Sequence, residues 1–111
     1  MLRKANRFHG RTAVARAYKD AQSYSNGPLR IWIKPADQTR VAVVVSKKVA
    51  KSAVVRNRIR RRIYELARHT IVDSENKQSV IVGVYDESIA SIEAPKLEEM
   101  FDVLIGKSTP Q

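Results

Sequence analysis

The sequence predicts an α+β domain: a small mixed β-sheet with a central arginine-rich helix in a βαβ crossover, plus N- and C-terminal helices. Three observations carry that expectation. Apolar residues alternate or run together in short stretches at 29–34, 41–46 and 79–85, as strands require. Between the second and third stretches, Val55, Ile59, Ile63, Leu66 and Thr70 step by four, four, three and four, which is the stripe of an amphipathic helix. Finally, 111 residues suffice for one domain with a single modest core.

In chain order, residues 1–9 carry Arg3, Lys4 and Arg7 and read as a basic arm; a single domain spans 10–106, and 107–111 is a tail. Thr12 is placed to cap a helix over Ala13 to Ala21, with Val14, Ala17, Tyr18 and Ala21 on one face. Asn26-Gly27-Pro28 is a turn, with room before it for a very short strand at Ser23 to Ser25. Leu29 to Lys34 alternates as a half-covered strand, Pro35 to Gln38 turns, and Arg40 to Ser46 is a Val-rich strand. The short link predicts an antiparallel hairpin between these two. Ser52 should cap a helix from Ala53 to His69. After a polar loop at Asp73 to Gln78, Ser79 to Tyr85 is the third clear strand. A last helix is expected from Pro95 to Ile105, with Leu97, Met100, Phe101, Leu104 and Ile105 inward and Gly106 ending it. If the strands flanking the central helix lie parallel in one sheet, they form a crossover unit.

Composition narrows the function. The chain has no cysteine, so it has neither a disulfide framework nor a thiolate metal site. Its first residues lack the apolar core of a secretory signal, and no apolar run approaches the ~18 residues of a membrane span. A soluble cytoplasmic protein is the expectation, with no membrane and no protein partner.

The net charge is +10, unevenly placed: up to Tyr64 there are 17 Lys and Arg against two acids, and from Glu65 onward four against nine. Such asymmetry points to nucleic acid or an anionic membrane, and the basic helix lacks the broad Trp, Phe or Leu face of a membrane anchor. The charge is densest at Lys47, Lys48, Lys51, Arg56, Arg58, Arg60, Arg61 and Arg62, which are eight cations in sixteen residues. A solvated face is the ordinary explanation of a charge run. Here the signs do not alternate, Arg56 and Arg58 oppose the helix dipole, and Glu65 opposes it from the other end. Arginine also dominates after Val55, and its planar fork suits bidentate phosphate contacts. Asn57, between two arginines, is either a spacer or a hydrogen-bonding partner for a phosphate, a 2′-hydroxyl or a base edge.

The run Ser46-Lys47-Lys48, a short link, then Val54-Val55-Arg56-Asn57-Arg58-Ile59-Arg60-Arg61 resembles the signature of the bacterial ribonuclease P protein subunit. The order of elements agrees over nearly the whole chain. The resemblance implies a subunit of an endoribonuclease that removes the 5′ leader of precursor tRNA, with catalysis and Mg²⁺ residing in an RNA partner. It implies that Lys47, Lys48, Lys51, Arg56, Asn57, Arg58, Arg60 and Arg61 bind that catalytic RNA. It further implies a cleft between the first helix, the sheet and the basic helix that holds the single-stranded leader, here at Val14, Tyr18, Trp32, Arg30 and Lys34. The crossover would have the unusual left hand. Val14 stands where the family usually has an aromatic and cannot stack; Ala50, where a Gly is common, and Tyr64 are further departures.

The residues themselves offer no alternative chemistry. Asp20 and Asp37 are isolated in sequence, His9 and His69 have no metal-ligand spacing, and no phosphate-binding glycine motif is present. A nuclease in its own right would show clustered carboxylates or paired histidines. The competing class is a ribosomal-type structural RNA-binding protein; Tyr18 and Trp32 near Arg30 and Lys34 favour the ribonuclease P reading. A duplex-DNA reader is weaker still, since no helix-turn-helix spacing precedes the basic helix.

Overall fold

The structure, a computed structural model, describes residues 15–72 and 77–108. The basic arm, Thr12, Val14, most of the expected polar loop and the end of the tail lie outside the described residues.

Helix α1 is described over residues 15–18 and closes through Lys19 N–H to Arg16 O (3.2 Å) and Ala21 N–H to Tyr18 O (3.3 Å). It stops three residues before the expected end because Asp20 turns left-handed at φ 62°, a conformation aspartate tolerates better than most residues. Strand β1 (Gln22–Asn26) then pairs antiparallel with β2 (Leu29–Pro35), Asn26 facing Leu29 across the turn. Gly27 takes φ 58° there, which a side chain would resist.

The expected hairpin between 29–34 and 40–46 does not form. Sheet order is β1-β2-β4-β3, with β4 (Gln78–Val84) inserted between β2 and β3 (Arg40–Val45), antiparallel to the first and parallel to the second. Two strand spacings are only about 10 Å, well within the reach of the extended link at Ala36 to Thr39. That link is stitched to the start of β4 by Ala36 N–H to Lys77 O (3.1 Å) and Gln78 N–H to Thr39 Oγ1 (3.4 Å). The most continuously buried strand thus takes a central place, paired on both edges.

Between β3 and β4 runs helix α2 (Ala53–Ala67), capped as expected by Ser52, whose side chain accepts from Val55 N–H. Its buried line is Ile59, Ile63 and Ala67, extended by Ile71 in a π turn at Arg68–Val72, rather than branching to Leu66 and Thr70, which are half-buried. A step of four throughout keeps the line on the sheet when the helix widens into a π turn. Helix α3 (Ala94–Ser108) buries Leu97, Phe101 and Leu104 and runs through Gly106. A stop at that glycine would need a positive φ, which among the described glycines only Gly27 has. A 3₁₀ turn at Glu87–Ala90, capped by Asp86 and burying Ile89, precedes α3 and has no periodic signal in the sequence.

Strand alternation divides the sheet. Leu29, Ile31, Ile33, Val41, Val43, Val45, Val80, Val82 and Val84 point to the main core beneath α2 and α3. The opposite face carries Arg30, Trp32, Lys34, Ala42, Val44, Ile81, Gly83 and, just past β4, Tyr85; there Ala17 of α1 packs on Trp32, Ala42 and Ile81. The Tyr64 hydroxyl of α2 accepts Val43 N–H (3.3 Å), covering part of the free edge of β3.

Candidate RNA interface

The predicted cations divide into two groups by what they touch. Arg58 and Arg61 are exposed and meet no acceptor among the described residues, and the same holds for Lys47, Lys48 and the ammonium of Lys51. Arg56 is half-buried and donates to the carbonyls of Ala50 (2.8 Å) and Lys51 (2.9 Å), bracing the turn that enters α2. Arg60 donates to Asn57 Oδ1 (3.0 Å), so the amide orients an arginine instead of merely spacing two. Arg62 faces inward: its guanidinium donates to the carbonyls of Ile89 (2.7 Å) and Ile92, tying α2 to the 3₁₀ turn. It therefore belongs to the fold, not to the cationic sheath in which its sequence neighbours sit. Glu65, whose position opposes the helix dipole, is matched by Arg68 at 2.8 Å. That hydrogen bond and charge hold its carboxyl below the usual range.

The described members of the predicted leader set, Tyr18, Arg30, Trp32 and Lys34, meet on the open sheet face. Tyr18 and Trp32 lie edge to face, centroids 5.1 Å apart and planes at 80°, and the Arg30 guanidinium sits 5.4 Å from the Trp32 ring centroid. Arg30 is steadied by Ser23 Oγ (3.0 Å) on the neighbouring strand. Lys34 uses its ammonium on the last carbonyls of α1, Arg16 O (2.7 Å) and Lys19 O (2.9 Å), where the helix dipole is negative. It fixes α1 above the sheet, and through α1 it fixes Tyr18. Val14 lies outside the described residues.

Further residues belong to this face, although the sequence marked no role for them. An open pocket is lined by Tyr18, Trp32, Val44, Val49, Gly83 and Tyr85, among others. Tyr85 is 58% exposed, and the Tyr18 phenol is pushed above its ordinary value by burial and by the neighbouring Tyr85. The available signal was period two: Tyr85, Gly83 and Ile81 alternate with the buried valines of β4. The basic helix packs on the other side of the sheet, so its arginines do not line the pocket. The link from β3 to α2 does reach it, through Ser46 and Val49. Among the described residues, no three His, Asp or Glu side chains gather as metal ligands. No described helix is long and apolar enough to cross a membrane.

Exposed cations on one helix and loop, with aromatic rings and a guanidinium on an adjacent open sheet, define an RNA-binding α+β domain. The family model for ribonuclease P matches residues 2–108. The chain belongs to the ribonuclease P protein family, of the bacterial type, and is thus the protein component of an endoribonuclease that matures tRNA 5′ ends together with an RNA component. The ribonuclease P protein component of Pseudanabaena sp. (strain PCC 6903) is 32% identical over 107 residues, covering 94% of this chain and 89% of that protein. That of Prochlorococcus marinus (strain MIT 9303) is 34% identical over 103 residues, covering 92% and 79%. In fold, the chain resembles the Staphylococcus aureus RNase P protein at a TM-score of 0.80 and 22% identity, covering 96% and 97%. The Thermotoga maritima RNase P protein follows at a TM-score of 0.76 and 19% identity, covering 95% and 98%. This membership decides between the two RNA-binding readings, against a ribosomal-type structural protein.

Proposed function

We propose that the chain works through two surfaces that divide the labour of tRNA 5′ maturation. Lys47, Lys48, Lys51, Asn57, Arg58 and Arg61, with Arg56 and Arg60 braced beside them, neutralise phosphates of the catalytic RNA where its strands crowd. Tyr18, Trp32 and Arg30, on a platform that Lys34 stabilises, hold the single-stranded leader of precursor tRNA; Val14 is assigned to the same groove by resemblance alone. The RNA breaks the phosphodiester bond and binds the Mg²⁺, while the polypeptide binds, orients and screens charge. The family resemblance also assigns the β3–α2–β4 crossover the left hand, and a cytoplasmic location is part of the same reading.

One observation carries this reading: Arg58 and Arg61 project from a well-packed helix with no acceptor opposite them among the described residues. Unmatched like charges destabilise a fold and bind a polyanion. Reconstitution with a bacterial ribonuclease P RNA at low Mg²⁺ should yield 5′-leader cleavage that neither component achieves alone under those conditions. Arg58→Ala should weaken assembly and reduce the slope of log affinity against log salt by about one. An unchanged slope removes that arginine from the contact. Trp32→Ala should weaken binding of a leader-bearing precursor by about 5- to 150-fold, the equivalent of one lost base stack, and leave mature tRNA unaffected. Equal losses for both would remove the leader from this face.

A further inference from the structure

Gly83 sits in the middle of Val80-Ile81-Val82-Gly83-Val84, an otherwise β-branched run in the most continuously buried strand. Glycine there weakens a strand relative to alanine, and its backbone does not need the freedom, since its φ is not positive. Space is the remaining reason. A Cβ on Gly83 would stand 2.9 Å from Cζ3 and 3.3 Å from Cη2 of Trp32, and 3.3 Å from Cε2 of Tyr85. The two rings therefore converge over one bare backbone position. Register places Gly83 between Arg30 on β2 and Val44 on β3, so the convergence lies at the carboxyl end of the parallel pair. The link that bears Lys47 and Lys48 leaves β3 at that same end.

We propose that Gly83 and Tyr85 build a subsite for one unstacked base of the RNA single strand, stacked on Tyr85 beside Trp32 and walled by Val44 and Val49. This rests on the reading of the open sheet face as the leader groove and adds a specificity-determining residue to it. The pocket lining holds aromatic, aliphatic and small neutral side chains and no cation. Phosphate is therefore held outside it, by Arg30 on one side and the Lys47–Lys48 link on the other, and the base is the part that enters. Tyr85 is more than half exposed and makes no side-chain hydrogen bond among the described residues, so its ring is available for stacking and its loss leaves the core intact.

The test uses the complex reconstituted with a bacterial ribonuclease P RNA and precursor tRNAs in which one leader nucleotide at a time is abasic. In the unaltered protein, one position should cost about 5- to 150-fold in affinity, the equivalent of a lost base–aromatic stack. Tyr85→Ala should lose a similar factor with the intact leader and become insensitive to the abasic site at that position alone. Gly83→Ala should reproduce the loss by displacing Trp32, the chain's single tryptophan, with a shift in its emission; Tyr85→Ala carries the test if the Gly83 variant fails to fold. If the losses multiply independently at every leader position, the subsite is wrong and the leader groove stands. If precursor and mature tRNA bind the unaltered complex equally, the groove reading falls and the subsite with it. If Tyr85→Ala weakens assembly with the catalytic RNA in the absence of tRNA, the pocket takes that RNA and the proposal is overturned.

Discussion

At the scale of single residues, neighbouring cations have unrelated fates. Arg61 and Arg62 are adjacent in sequence, yet about 100° of helical rotation turns the first to solvent and the second toward the carbonyls of Ile89 and Ile92. Arg62→Ala should therefore destabilise the fold by about 1.5–3 kcal/mol, the usual range for a charge-assisted hydrogen-bond anchor. Arg61→Ala should leave stability within ~0.5 kcal/mol, as for an exposed surface change. Paired urea melts separate the two. Tyr18 offers a second residue-scale check. Burial and the nearby Tyr85 raise its phenol, so below pH ~10 it is neutral in both folded and unfolded chains and adds no pH dependence. Above that, the unfolded chain releases the proton first. Stability should fall as pH climbs from the ordinary tyrosine value to the raised folded one, and Tyr18→Phe should flatten that fall. A wild-type minus Tyr18→Phe difference titration, followed by phenolate absorbance, should have its midpoint above the ordinary value.

At the scale of elements, α2 satisfies its own ends. Ser52 caps the amino end, Arg56 reaches back to Ala50 and Lys51, and Arg68 answers Glu65 near the carboxyl end. Two features that look unfavourable in sequence, a cation in the first turn and an acid in the last, are thus partly compensated locally. The uncompensated charge is narrower than the sequence implies: Arg58, Arg61 and the lysines of the preceding link. The same economy governs α1, whose last carbonyls are held by Lys34 from the sheet beneath. A lysine that alternation assigns to the leader face thereby positions the aromatic that lies on that face.

At the scale of the molecule, the charge asymmetry has opposite consequences for folding and for binding. The amino-terminal half repels itself, and screening lengths of about 8–10 Å at physiological salt shorten that repulsion. Raising salt from a few millimolar to ~0.15 M should raise the melting temperature of the free chain and lower its affinity for the RNA. A melting temperature that fell with salt would show that the cations are mutually compensated after all.

The sequence by itself determined the main strands and helices, the Ser52 cap, the inward faces of β2 and α3, and the functional family, because each is written in local period or in the run from Ser46 to Arg61. It offered Tyr18 and Trp32 as leader residues only through resemblance, and their edge-to-face contact is a fact of the tertiary structure. Tertiary structure alone decided that β4 separates β2 from β3, since a four-residue link can turn back or cross a strand at nearly equal cost. It alone turned Arg62 inward, because the carbonyls it meets lie 27 and 30 residues away, one in a 3₁₀ turn with no periodic signal and one just after it. And it alone brought Gly83 and Tyr85 under the edge of Trp32: alternation says which face a side chain takes, while only strand order and register say what it meets there.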